Sequence, residues 1–96
     1  MPPSEAFDRH RDAIRQLVAK RGVRNPRVFG SVLARKANEG SDLDLLVDPA
    51  PGTTLFDLGE LQMDLEDLLG VRVDLLTPAD LPVRYRDIVL RESVPV

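Results

Sequence analysis

The chain has 96 residues, 43% of them hydrophobic and 30% charged. That profile fits one small globular domain and excludes a disordered polar tail or a collagen-like repeat. Its net charge of −3 argues against a general nucleic-acid binder, and the lack of cysteine rules out disulfides, Cys-ligated zinc and thiol catalysis. No stretch approaches the ~20 apolar residues of a membrane span. The segment Met1-Pro2-Pro3-Ser4-Glu5 lacks a basic region followed by an apolar run, so a cytoplasmic protein without a secretory leader is expected.

Along the chain, Phe7, Ile14, Leu17 and Val18 recur at helical spacing, predicting a first helix from about Ser4 to Arg21, stopped by Gly22. His10 shares the face of Phe7 and Leu17 and is expected to be partly buried. The first strand is Arg27-Val28-Phe29, running into Gly30-Ser31; a short helix covers Val32 to Ala37, and Asn38-Glu39-Gly40-Ser41 turns the chain. Asp42 to Val47 form the second strand, ended by Asp48-Pro49-Ala50-Pro51-Gly52. Thr54 then caps a long helix, with Asp57 at the capping-box position. Leu55, Leu58, Leu61, Leu65, Leu68 and Leu69 form its apolar stripe, and Gly70 closes it. Val71 to Leu76 form the third strand, and Thr77-Pro78-Ala79-Asp80 is another helix start, with Pro where its missing N–H costs nothing. The last helix runs from Val83 to Arg91, its apolar residues serving as core or as an interface, and Val94-Pro95-Val96 can add an edge strand.

This is an α/β (α+β) fold of order α-β-α-β-α-β-α: a small mixed β-sheet flanked by helices. The short link between the first two strands permits an antiparallel pair, whereas the long helix between the second and third favours a parallel crossover. Charge is divided along the chain. Residues 1–36 carry nine Lys/Arg against three acids, and residues 37–96 carry four against thirteen. A basic part that meets an anion and an acidic part that holds cations would produce this division, and so would two solvated faces.

The chemistry-bearing segment is Ser41-Asp42-Leu43-Asp44-Leu45-Leu46-Val47. Side chains alternate across a strand, so Asp42 and Asp44 share one face while Leu43, Leu45 and Val47 share the other. Two carboxylates so placed repel each other unless a cation lies between them. The third strand repeats the pattern, with Val71, Val73 and Leu75 on one face and Arg72, Asp74 and Leu76 on the other. If the two strands adjoin in register, Asp74 joins the first pair. Three Asp with no His or Cys are hard ligands suited to Mg²⁺ or Mn²⁺ and poorly suited to zinc. Taken alone, Asp42 and Asp44 fit a turn cap on a solvated strand face as well as they fit a metal site. Gly30-Ser31 tips the balance. At a strand-to-helix junction, free N–H groups can meet an anion, Gly30 removes the Cβ from the path of a phosphate, and the Ser31 hydroxyl can donate to it. Arg35 and Lys36, one turn on, can neutralise a triphosphate or remain solvated surface charges.

The run Phe29-Gly30-Ser31-Val32-Leu33-Ala34-Arg35, followed by Ser41 through Val47 and a later acid in an apolar strand, resembles the polymerase-beta-like nucleotidyltransferase superfamily. Within it, the chain looks like the minimal nucleotidyltransferases, and the resemblance covers residues 23–94. The family usually has Gly where Lys36 stands. The resemblance implies a single minimal nucleotidyltransferase domain over residues 1–96 with the polymerase-beta-like fold. It implies that Asp42, Asp44 and Asp74 hold two Mg²⁺ (or Mn²⁺) ions, that Asp74 serves or positions the base, and that Gly30 and Ser31, aided by Arg35, hold the phosphates of ATP. AMP would then pass to an acceptor hydroxyl with release of pyrophosphate.

The same resemblance points to an antitoxin that pairs with a HEPN-domain ribonuclease toxin as a hetero-oligomer and AMPylates a toxin tyrosine, in the manner of a type VII-like pair. No second domain to select a small acceptor is expected, so the acceptor pocket is expected to be made with the partner. Neutralisation by binding alone, or nucleotidyl transfer to a small molecule such as an aminoglycoside, are the alternatives. Neither a membrane nor direct nucleic-acid contact is expected.

Overall fold

The computed structural model describes residues 7–29 and 43–96. After a helical turn at residues 7–9 come α1 (Arg11–Lys20), β1 (Val23–Phe29), β2 (Leu43–Pro49), α2 (Leu55–Leu69) and β3 (Val73–Leu76). A single 3₁₀ turn (Pro78–Asp80), α3 (Val83–Glu92) and β4 (Val94–Pro95) complete the chain. The expected helix over residues 32–37 lies outside the described residues. Among those described, no helix is long and apolar enough to cross a membrane.

The sheet has the order β3-β2-β1-β4. β1 pairs antiparallel with β2 and β4, while β2 and β3 are parallel, joined through α2. The expected mixed sheet is therefore present, with the C-terminal residues adding its fourth strand. β1 is longer than Arg27–Phe29 because a bulge carries the strand past Asn25 and Pro26. The pairing steps from Arg24↔Asp48 to Arg27↔Leu46, so one extra residue is accommodated on β1. Asn25 takes the left-handed conformation (φ 56°), which Asn tolerates better than most residues, and its amide donates to Asp48 Oδ2 at 3.0 Å. Arg27 Nη1 donates to the other oxygen of Asp48 at 3.1 Å. Those contacts hold Asp48 and Pro49 in β2, although their residue types read as a turn.

Leu45, Val47, Leu61 and Leu65 are fully buried with Ile14 between the sheet and helices α1 and α2. Phe29, Leu46, Leu81 and Val89 form a smaller cluster on the other face. α2 begins as the sequence predicts: Thr54 Oγ1 accepts from the Asp57 N–H at 3.1 Å, and Asp57 Oδ2 accepts from the Thr54 N–H at 2.9 Å. It ends at Gly70, whose φ of 69° suits a residue without a Cβ. The buried stripe starts at Leu58 rather than Leu55, which at the first helical position is 87% exposed.

Three further boundaries depart from expectation. The first helix is broken at His10, half-buried as anticipated but non-helical (φ −116°, ψ 20°), so α1 starts one residue later. β3 starts at Val73 rather than Val71. Thr77–Asp80 makes only one turn, because Leu81 precedes Pro82 and is extended (φ −80°, ψ 139°), the conformation that a following proline favours. In α3, Val89 is buried while Val83 is well exposed and Ile88 and Leu90 are marginally so.

Part of the charge division is satisfied within the chain. Arg21, at the C-terminal end of α1, meets Glu60 at 2.5 Å and Asp64 at 2.9 Å on α2. The hydrogen bond that the guanidinium donates to Asp64 is the largest cause raising its pKa; desolvation opposes the rise, and the bond to Glu60 and the two carboxylate charges add to it. These three residues, with Phe56 and Met63, line a depression of about 400 Å³. It lies where the end of α1 meets α2, the helix that packs on the sheet face opposite Asp44.

Candidate active site

Strand pairing decides whether the acidic residues can meet. Asp44 and Asp74 are Cα partners in the parallel β2–β3 ladder. Partners in register point to the same side of a sheet, on strands about 4.8 Å apart. Phe29 is the Cα partner of Asp44 from β1. Thus the C-terminal end of β1 and the N-terminal ends of β2 and β3 converge at one corner, on the face of the smaller apolar cluster. The side chains beneath the carboxylates are Leu46, fully buried, and Leu76, half-buried. Asp44 is only 8% exposed.

Placing two carboxylates side by side against apolar neighbours is a costly arrangement that a divalent cation relieves. The donor set fits such an ion. Both residues offer hard oxygens, and His10, the sequence's one histidine, belongs to the turn before α1. This chemistry matches Mg²⁺ or Mn²⁺, which bind through a small number of carboxylates and complete their shells with water and phosphate. Among the described residues no group of three or more potential ligands forms. Asp42, Gly30, Ser31 and Arg35 lie outside the described residues. In sequence, Gly30 directly follows Phe29 and Asp42 directly precedes Leu43.

The alternation of β3 also holds: Val73 is in the main core on the α2 side, with Leu75 packed against it, and Leu76 is in the cluster beside Asp74. The backbone on both sides of Asp74 is tied to α2. Glu66 Oε2 accepts from the Val73 N–H at 3.0 Å, and Gln62 Oε1 accepts from the Leu75 N–H at 3.3 Å. Sequence reasoning passed over these two polar residues. Their spacing of four, flanking the leucine stripe, is the available signal, but only the sheet order shows what they reach.

The segment after β3 is fastened beneath the same face. Asp80 Oδ2 accepts from the Thr77 N–H at 2.9 Å and from its hydroxyl at 3.0 Å. Arg86 donates from Nε to the Pro78 carbonyl at 2.8 Å and from Nη2 to the Leu81 carbonyl at 3.1 Å. These bonds keep Leu81 in the apolar cluster on which the carboxylates rest.

Comparison with known proteins shows the family and the fold. A nucleotidyltransferase-domain profile matches residues 8–96. A protein adenylyltransferase MntA of Thermococcus cleftensis is 43% identical over 82 residues, which are 85% of this chain and 83% of the relative. A candidate protein adenylyltransferase of Methanocaldococcus jannaschii is 38% identical over 80 residues, covering 83% and 86% of the two chains. A solved candidate minimal nucleotidyltransferase superposes with a TM-score of 0.78 at 47% identity, covering 96% of this chain and 94% of that one. The fold is also shared, at a TM-score of 0.65 and 19% identity, with a chain of a mutant MntA–HpeT toxin–antitoxin complex. There 88% of this chain and 69% of the other are covered.

Proposed function

The chain belongs to the nucleotidyltransferase-domain family, as an enzyme of the protein adenylyltransferase type, and we propose that it transfers AMP from ATP to a tyrosine hydroxyl of a cognate HEPN ribonuclease toxin. It would act in the cytoplasm as the antitoxin of a type VII-like pair, with residues 1–96 as its single domain. The observation that carries this reading is the pairing of Asp44 with Asp74 on one face of adjacent strands. Its partner side is supported by the relatives, which include a protein adenylyltransferase MntA and, at the level of fold, an MntA–HpeT toxin–antitoxin complex.

In the proposed reaction the acceptor oxygen forms a bond to the α-phosphorus of ATP. The bond to the bridging oxygen breaks, and pyrophosphate leaves. Asp74 would serve as, or position, the base that takes the proton of the acceptor hydroxyl. Asp42, Asp44 and Asp74 would hold the divalent ions, and Gly30, Ser31 and Arg35 would bind the phosphates. When bound, Mg²⁺ or Mn²⁺ supplies neutralisation of the triphosphate and polarisation of the reacting oxygens. What the protein contributes is positioning and electrostatic stabilisation, which dominate catalysis of phosphoryl transfer.

The test is incubation with labelled ATP, Mg²⁺ and the protein encoded by the adjacent open reading frame. Label is expected on a tyrosine of that protein, and an Asp42→Ala/Asp44→Ala variant is expected to transfer none. Equal transfer by the variant would remove the assignment. Full neutralisation of the toxin by the variant would instead favour an antitoxin that works by binding alone.

A further inference from the structure

We propose that Gln62 and Glu66 of α2 are positioning residues that hold Asp74 in its metal-binding place. This rests on the reading of Asp74 as a site carboxylate.

Among the described residues β3 is an edge strand, bounded by β2 on one side only. An edge strand presents a row of N–H groups with no strand to receive them, and short edge elements are among the first parts of a fold to open locally. Here the outward amides on either side of Asp74 are both received by side chains of α2, Val73 by Glu66 at 3.0 Å and Leu75 by Gln62 at 3.3 Å. The inward side of β3 is engaged in the parallel ladder with β2. The backbone that carries Asp74 is therefore gripped along both of its edges.

The grip is rigid at its origin. Gln62 and Glu66 are one helical turn apart, each next to a leucine, Leu61 or Leu65, that is fully buried, so α2 cannot roll without breaking the core. The Glu66 carbonyl also receives the Gly70 N–H at 2.8 Å, within the helix terminus. A carboxylate serving a metal must be held to within about 0.5 Å of its productive position. A two-residue clamp on the flanking peptides supplies that restraint without touching the carboxylate.

The test compares the full chain with Gln62→Ala/Glu66→Ala and with Gln62→Glu/Glu66→Gln, which keeps an oxygen acceptor at each position. Mn²⁺ is titrated in the presence of a non-hydrolysable ATP analogue, and amide hydrogen exchange is followed without metal. In the alanine pair, Mn²⁺ affinity is expected to fall about tenfold or more, and exchange at Val73 and Leu75 should accelerate. The conservative pair should restore both to near wild type. A folded alanine pair with wild-type Mn²⁺ affinity, or a conservative pair that fails to restore it, would overturn the positioning role. Should the alanine pair not fold, Gln62→Ala alone retains the Glu66 bond. A several-fold loss of affinity is then expected, and wild-type affinity is the contrary result. Asp74→Asn separates the two levels. If it binds Mn²⁺ as the wild type does, the site reading falls and the clamp with it; if it loses Mn²⁺ while the alanine pair does not, the clamp alone falls.

Discussion

Asp44 and Asp74, thirty positions apart in the chain, are direct partners across a parallel strand pair. Like charges brought together in this way favour a bound divalent ion over mutual repulsion. Asp44→Asn and Asp74→Asn should each lower the rate of AMP transfer by about a hundredfold or more, the scale of losing one preorganised electrostatic group in a water-poor site. Pyrophosphate release measured across a Mg²⁺ titration checks this. Thermal unfolding of both variants should show the fold intact, because asparagine keeps the shape and removes the charge.

The core between α2 and the sheet sets the stability on which that geometry depends. Leu61 is fully buried there. Leu61→Ala should cost about 2–5 kcal/mol, from lost transfer free energy plus the cavity left behind. A urea titration should show a lower midpoint with an unchanged slope, since the surface exposed on unfolding barely changes.

The start of α2 adds a pH-dependent term. The Asp57 carboxyl is held below the usual carboxylate range, first by the Thr54 backbone N–H, then by the Thr54 side chain, with a smaller contribution from the Arg21 charge. A lowered folded-state pKa means the unfolded chain takes up a proton first as pH falls. The Asp57 contribution is then complete above the ordinary carboxylate pKa of about 4 and lost as pH drops through the lower folded value. The stability difference between wild type and Asp57→Ala, read by urea unfolding, should be constant from pH 7 to about 5 and shrink below pH 4. Thr54→Ala should cost about 1 kcal/mol at neutral pH.

Much of this molecule is legible from local pattern. The leucine stripe, Thr54 with Asp57, and Gly70 define α2 to within a residue at each end, because capping and periodicity involve neighbours in the chain. The first strand was less visible. Asn25 and Pro26 read as breakers, yet a bulge carries β1 through them, and Asp48 stays in a strand through its bonds to Asn25 and Arg27. Those bonds join residues more than twenty positions apart, beyond the reach of any propensity. The acceptors at Gln62 and Glu66 were hidden for a similar reason. Helical spacing gives their side, while their partners on β3 depend on where the edge of the sheet falls.

Alternation along each strand was enough to assign Asp44 and Asp74 to the faces opposite their apolar neighbours, since side-chain direction in an extended chain repeats every two residues whatever surrounds it. Whether those two faces coincide is a property of the assembled sheet. A shift of a single residue between β2 and β3 would turn one carboxylate to the other side. The register that prevents it comes from burying Leu45 and Val73 against α2 and from the path of the crossover helix between the strands.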